Sequence, residues 1–394
     1  MKLAEKSICT GCGACFNICP KKCIQMKSDY EGFLYPVVDE DSCINCGLCQ
    51  SVCAVLEFKS INTFISPIAI AAYNKDLDKL NESSSGGVFI TLAESIIKRG
   101  GIVYGAALSE DFSVVHKRIA SLSELQKLQG SKYSQSNVGY SYAQVKEDLL
   151  LNKEVLFSGT PCQVAALKSF LKKPYEKLLC VDIICHSVPS PRVWSEYLNQ
   201  ITNSLGEVAS VNFRDKRDSW QRYCLSVKTK DEFEIIKKAD NNYYMKAFIN
   251  GLCTRSSCYN CEFKGQNRAS DITLGDFWGC EQVCPDFTND RGTSLVLIQT
   301  DKGKSVFDKI KMNLIYREVD ANDALVQNPA YSTKSTEHRN RTNFFKRFES
   351  EDFEELVREL LLPTRKDIIS KRIQRSFIGK ALRKIKRYLH KAVK

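Results

Sequence analysis

The chain has 394 residues, 57 Lys or Arg against 46 Asp or Glu for a formal charge of +11, and 18 cysteines. The charge is local: residues 365–394 hold twelve Lys or Arg and one acid, Asp367, so the rest is neutral and gives no electrostatic case for nucleic-acid binding. No segment approaches the ~18 consecutive apolar residues of a membrane-spanning helix, and MKLAEKSI at the start lacks the apolar run of a signal peptide. Many cysteines without a secretion signal read as metal ligands in a reducing compartment, which points to the cytoplasm.

Nine of the cysteines fall within the first 53 residues, and eight of these share one pattern. Cys9-x-x-Cys12-x-x-Cys15-x-x-x-Cys19-Pro20 is followed by Cys43-x-x-Cys46-x-x-Cys49-x-x-x-Cys53. This is the ligand spacing of a bacterial ferredoxin with two [4Fe–4S] clusters, in which one loop gives three thiolates and the other repeat gives the fourth. Cys9, Cys12, Cys15 and Cys53 are expected to hold one cluster, and Cys43, Cys46, Cys49 and Cys19 the other. Gly11, Gly13 and Gly47 are expected to let backbone amides approach the sulfides. Ala54 stands where a proline is usual. Cys23 is extra to the pattern and is expected to be a small packing residue. Zinc or disulfides are the alternatives, but three cysteines at two-residue gaps, repeated, suit tetrahedral zinc poorly.

Residues 1–58 thus read as an α+β ferredoxin module, residues 59–68 as a linker, and residues 69–362 as an α/β core domain. Strands are expected at 68–73, 102–108, 155–158 and 178–184. Apolar residues at helical spacing predict helices at 88–98, 121–128, 138–151 and 163–171. The alternation predicts a largely parallel sheet. Further strands are expected at 210–214, 224–228, 271–275 and 294–299, before a more helical stretch. In residues 363–394, Ile369, Ile373, Phe377, Ala381, Ile385, Leu389 and Val393 recur at steps of four among Lys and Arg. That stripe predicts a basic amphipathic C-terminal helix, suited to peripheral contact with an anionic membrane. A solvated tail, or a helix docked on protein, is the alternative.

Three constellations in the core carry chemistry. Ser83-Ser84-Ser85-Gly86-Gly87 precedes a helix and offers capping hydroxyls and first-turn amides to an anion such as a cofactor phosphate. A capped helix with no ligand is the alternative. The stretch from Val155 to Cys162 reads as strand, turn and helix start, placing Cys162 where the helix dipole favours a thiolate. Cys185-His186 follows the next strand, and parallel strands bring both cysteines to one sheet edge. Cys253-x4-Cys258-x-x-Cys261 supplies another metal-type pair. Cys162, Cys185, Cys258 and Cys261 are expected to hold a third cluster. Cys253, Cys280 and Cys284 are alternative ligands, and zinc or no metal are alternative fillings.

Ser85-Gly86-Gly87, Gly130-Ser131-Lys132-Tyr133, Gly159-Thr160-Pro161-Cys162, the run from Cys185-His186 to Pro191, Cys258-x-x-Cys261 and the run from Asp271 to Gly279 occur in this order. Together they resemble the beta subunit of coenzyme F420 hydrogenase/dehydrogenase, in the bacterial branch with an N-terminal ferredoxin module. The resemblance implies an iron–sulfur flavoprotein oxidoreductase. It would move electrons between [4Fe–4S] clusters and a small two-electron substrate through FAD, with an external donor or acceptor such as ferredoxin. It also implies the third cluster, and makes Ser85, Gly86, Gly87, Ser131, Lys132 and Tyr133 flavin contacts. Lys132 and Arg214 are candidates for flavin phosphates or an acidic substrate, with surface salt bridges as the alternative. Lys132 and His186 are the catalytic candidates, His186 as a proton donor, with a structural hydrogen bond as its alternative. Two rival functions remain open. One is a non-catalytic iron–sulfur adaptor feeding a partner enzyme, for example in polysaccharide synthesis. The other is a thiol transferase with Cys162 as nucleophile.

Overall fold

The computed structural model describes residues 3–57, 66–266 and 268–363. The linker lies mostly outside the described residues, and the amphipathic tail almost entirely so. Among the described residues, no helix is long and apolar enough to cross a membrane.

In the N-terminal module, strands β1 (Ile24–Ser28) and β2 (Leu34–Val38) pair antiparallel between the two cysteine loops. Each loop ends in a short helix, Ala14–Ile18 and Leu48–Ser51, entered through left-handed Gly13 and Gly47 at φ 76° and 74°. These turns need glycine, because a side chain clashes at that backbone angle.

The core begins with β3 (Ile68–Asn74), β4 (Ile102–Leu108), β5 (Val114–Ile119), β6 (Val155–Gly159) and β7 (Leu178–Ile183). Strands β8 (Val208–Asp215), β9 (Cys224–Thr229) and β10 (Glu234–Lys238) make a separate antiparallel sheet. Strands β11 (Ile272–Asp276), β12 (Ser294–Ile298) and β13 (Leu314–Val319) return to the first sheet, whose order is β13-β3-β12-β11-β7-β6-β4-β5. Only its centre is parallel: β4 with β6, β6 with β7, and β7 with β11. Strands β5, β12, β3 and β13 flank that centre antiparallel. The largely parallel sheet expected from the sequence is therefore a mixed one. The β4–β5 link shows why: it is a short turn, and only antiparallel neighbours can be joined without a crossover.

The helix Val88–Lys98 follows the sequence expectation, burying Val88, Leu92, Ala93 and Ile96 against the sheet. The stretch expected as a helix at 121–128 is a 3-10 helix, Leu122–Leu128. The helix Pro191–Leu205 is not evident from the sequence, because Pro189-Ser190-Pro191 reads as a loop. Ser190 instead caps it, its hydroxyl accepting from Val193 N at 3.3 Å, and Pro191 takes the first helical position, where its missing N–H costs nothing.

The module is packed firmly on the core. Arg341 of the core makes a two-pronged ion pair with Glu31 of the module, the two side chains only 7% and 8% exposed. Gln135 donates to Thr10 O at 2.9 Å, and Asn17 donates to Gly139 O at 2.8 Å. Fully buried Arg255 donates to Cys9 O at 2.9 Å, Leu34 O at 3.0 Å and Gln135 Oε1 at 2.9 Å. The left-handed Gly11 makes room for it, since a Cβ there would lie 2.8 Å from the guanidinium. Gly11 thus serves the docking of Arg255 as well as the loop.

Candidate functional site

Two cavities in the module are lined by cysteines. Cys9, Cys12, Cys15 and Cys53 line one, and each thiol is an electrostatic neighbour of the other three. Burial pushes Cys12 up to about 11 and raises Cys15 and Cys53 as well. Clustered, buried thiols resist ionisation until a metal takes the proton's place, which is the electrostatics of an iron–sulfur pocket. Cys19, Cys43, Cys46 and Cys49 line the other cavity together with Cys23. Cys23 is buried, so it packs as expected, but it packs into this cavity and not into the apolar interior alone.

A third group of cysteines forms at the C-terminal edge of the parallel strands. Gly159 at the end of β6 pairs with Asp182 near the end of β7, so the chain leaves both strands at the same edge. From β6, Thr160 and Gln163 form a reciprocal cap around Pro161 and Cys162, with Thr160 N donating to Gln163 Oε1 at 2.9 Å. From β7, Ile184 and Cys185 follow. The segment before Cys258 pairs with the one after Cys185: Arg255 N donates to Val188 O at 3.0 Å and Ser190 N to Cys253 O at 2.9 Å. Cys162, Cys185, Cys258 and Cys261 become mutual electrostatic neighbours. Burial pushes Cys185 up to about 11 and Cys258 up to about 12, and raises Cys162 well above its ordinary value. Cys162 keeps its place at the helix start, where burial and the neighbouring thiols act against the helix dipole on the metal-free thiol. The alternative ligands lie elsewhere. Cys253 is in a hydrophobic core, and Cys280 and Cys284 pair at 3.4 Å in another.

Two further features, absent from the sequence motifs, hold this group in place. Arg268 and Asp182 form an ion pair with both side chains 0% exposed, and Thr273 donates to Asp182 at 2.6 Å. The pair sits just before Cys185. Fully buried Tyr142 donates to Gln163 O at 3.0 Å and is an electrostatic neighbour of both Cys12 and Cys162. It bridges the module's first cysteine set and the core set. Its only signal in the sequence is one aromatic residue on an ordinary helix.

Beside the core set, β11 delivers Asp276 to the same edge. Asp276 accepts from Arg214 at 2.8 Å and from Trp220 Nε1 at 3.1 Å. Arg214 also donates to Tyr133 Oη at 3.1 Å and Ser84 O at 3.2 Å, and lies over the Tyr223 ring at 3.9 Å. Its Nε is buried with no partner in the structure. Ser131 bonds Ser84 through its N–H at 2.6 Å and its hydroxyl at 2.9 Å. The loops around Ser84 and Ser131 therefore meet at Arg214. Lys132 donates to Gln129 O at 2.8 Å and Lys127 O at 3.2 Å; Lys216 donates to Leu80 O and Arg291 O, both at 2.6 Å. Among the described residues, neither ammonium has a carboxylate partner. Burial holds Lys132 down to about 7; burial and nearby Arg214 hold Lys216 down to about 8.

Gly86 and Gly87 have structural duties of their own. A Cβ on Gly86 would lie 2.2 Å from Ala72 O, and its amide donates to Ser294 Oγ at 2.9 Å. Gly87 is the left-handed N-cap of the helix Val88–Lys98, at φ 77° with no side-chain cap. Ser85 donates to Thr293 O at 3.0 Å. His186 is exposed, with Lys264 and Asp276 as its charged neighbours. Phe277 is core, while Trp278 stacks on Trp220 at 4.9 Å.

Cysteine sets converging in a ferredoxin-type module, docked on an α/β core, define an iron–sulfur electron-transfer protein. Residues 8–55 match the 4Fe-4S dicluster domain, and residues 152–323 match the C terminus of the beta subunit of coenzyme F420 hydrogenase/dehydrogenase. The two matches follow the order of the motifs read from the sequence, a two-cluster module and then a region similar to that family's C terminus, and they support an oxidoreductase at a coarse level. It is similar to the F subunit of the F(420)H(2) dehydrogenase of Methanosarcina mazei, 22% identical over 328 residues, 79% of this chain and 84% of that one. A solved chain of the F420-reducing [NiFe] hydrogenase complex from Methanosarcina barkeri, derivatized with xenon, is 18% identical, with a TM-score of 0.46 over 67% of this chain and 90% of its own.

Proposed function

We propose that the chain is an iron–sulfur flavoprotein that passes electrons between a small redox protein such as ferredoxin and a small two-electron substrate. The observation that carries this reading is the gathering of Cys162, Cys185, Cys258 and Cys261 beside Tyr142, which also neighbours Cys12 of the module's first cysteine set. Each cysteine set offers the four thiols that a [4Fe–4S] cluster requires. The Arg214 region suits an anionic group, because a buried guanidinium with an unpartnered Nε stands beside the Lys216 ammonium, which is bonded only to carbonyls. When bound, FAD supplies the exchange between single electrons and electron pairs.

The chain's own residues supply the rest. Arg214, Lys132 and Lys216 attract phosphate or an acidic substrate, and Asp276 fixes the orientation of Arg214. Ser84 and Ser131 tie the two pocket loops together. Tyr142 fills the space between two cysteine sets and keeps water out of it. His186, exposed beside Asp276, is the candidate proton donor at the mouth. The same reading places the protein in the cytoplasm, with residues 363–394 on the inner face of the membrane. Co-sedimentation with anionic liposomes, compared with a chain ending at Leu362, tests that placement.

Anaerobic purification with iron, sulfide and flavin counted per chain tests the main reading. Three clusters give about twelve iron atoms, with about one flavin per chain expected for a single pocket. A protein that purifies without flavin and shows no diaphorase activity is the adaptor instead.

A further inference from the structure

The second cavity of the module holds five thiols where a cubane needs four. Cys23 lines it with Cys19, Cys43, Cys46 and Cys49, whereas the lining of the first cavity includes four cysteines, Cys9, Cys12, Cys15 and Cys53. Cys23 Sγ lies 3.4 Å from Cys19 Sγ and within hydrogen-bonding reach of Cys43. The backbone imposes this placement. After Pro20 the chain turns back, with Lys22 N donating to Cys19 O at 3.1 Å and Lys22 left-handed at φ 51°. Side chains avoid that region, so the turn must be held by the strand pair beyond it. Cys23 O accepts from Asp39 N at 2.8 Å, and β1 starts at the next residue. Two thiols therefore stand at one corner of the cavity.

We propose that Cys23 is a reserve ligand, which replaces Cys19 on the second cluster when Cys19 cannot serve. This rests on the reading that the cavity holds a cluster. The exchange is thiolate for thiolate. The Cys23 thiol loses its proton as its sulfur–iron bond forms, the Cys19 sulfur–iron bond breaks, and the released Cys19 sulfur takes up a proton. No electron changes hands. Direct approach is available because the two sulfurs are already in contact, so the loop needs no rebuilding.

The full-length chain is purified anaerobically as wild type and as Cys19→Ala, Cys23→Ala, Cys19→Ala/Cys23→Ala and Cys46→Ala/Cys49→Ala. Iron and sulfide are counted, and electron paramagnetic resonance spectra are taken after reduction. The signal of the first cluster, which none of these changes touches, normalises for misfolded protein. Cys46→Ala/Cys49→Ala is expected to lose about four iron atoms, which establishes the cluster itself. Each single variant is expected to keep wild-type iron, with an altered second-cluster spectrum in Cys19→Ala only. The Cys19→Ala/Cys23→Ala chain is expected to lose about four iron atoms. Iron loss in Cys19→Ala alone equal to that in the double variant overturns the proposal. Unchanged iron in Cys46→Ala/Cys49→Ala instead overturns the cluster reading beneath it.

Discussion

The module's cysteine sets and the core's set reach convergence by different physics. In the module, three of each four thiols sit on one short loop, and a left-handed glycine such as Gly13 or Gly47 aims them. In the core, the four thiols come from the ends of β6 and β7 and from a distant segment that hydrogen-bonds alongside Val188. The first arrangement is local and tolerates damage elsewhere. The second exists only when the sheet and its loops are correctly assembled, so it reports on the whole fold.

The sharpest way to separate them is Arg268→Ala. It leaves Asp182 buried without its partner, and breaking a buried ion pair costs about 3–5 kcal/mol. Urea unfolding should show a lower midpoint, and iron counting should show loss from the core site with both module clusters kept. Equal loss from all three sites would mean that the module depends on the core as heavily as the core depends on its sheet. A smaller effect is expected from Glu31→Gln at the interface. It weakens a charge-assisted contact with Arg341, worth about 1.5–3 kcal/mol. The module should then become more susceptible to proteolysis while the core set keeps its iron; unchanged digestion would show that the contacts of Arg255, Gln135 and Asn17 secure the docking without this ion pair.

A third effect is one of pH, confined to two buried lysines of the core. Lys132 near 7 and Lys216 near 8 both lie below the ordinary lysine value of 10.5. The unfolded chain therefore binds more protons than the folded one across that window, and this contribution to stability rises with pH from about 7 toward 10.5. Anion binding runs the opposite way, because a phosphate favours the charged ammonium. Affinity for inorganic phosphate or flavin should fall as pH climbs through 7 and 8, and Lys132→Met should remove the lower step. Flat affinity in the wild type would remove Lys132 from the pocket, while the module's clusters should show no such dependence.

Legibility followed the same division. The eight module cysteines were readable because their geometry is written in residue spacing, and the 4Fe-4S dicluster match agrees. The strands at 102–108 and 155–158 were readable because they are short apolar runs between turns. Strand direction was not: the antiparallel flanks of β12, β3 and β13 depend on tertiary pairing that no local pattern encodes. The helix Pro191–Leu205 was hidden by two prolines that suit a helix start as well as a loop. Arg255, Asp182 and Tyr142 stayed invisible because each acts through partners far along the chain or across the sheet, and none stands in a distinctive motif. Lys216 stands two residues after Arg214, and nothing in that stretch signals that its ammonium would be buried.

The two module cavities share a ligand repeat yet differ in wetting. Cys46 is exposed and Ile44 beside it is 57% exposed, while the first cavity faces Arg255 and Tyr142 inside the protein. Solvent exposure and hydrogen bonds to sulfur set a cluster's reduction potential. A near-symmetric pair of ligand loops would thus give two unequal steps of a voltage ladder. The wet rung would meet partners in solution, and the dry rung would hand charge inward across a single tyrosine.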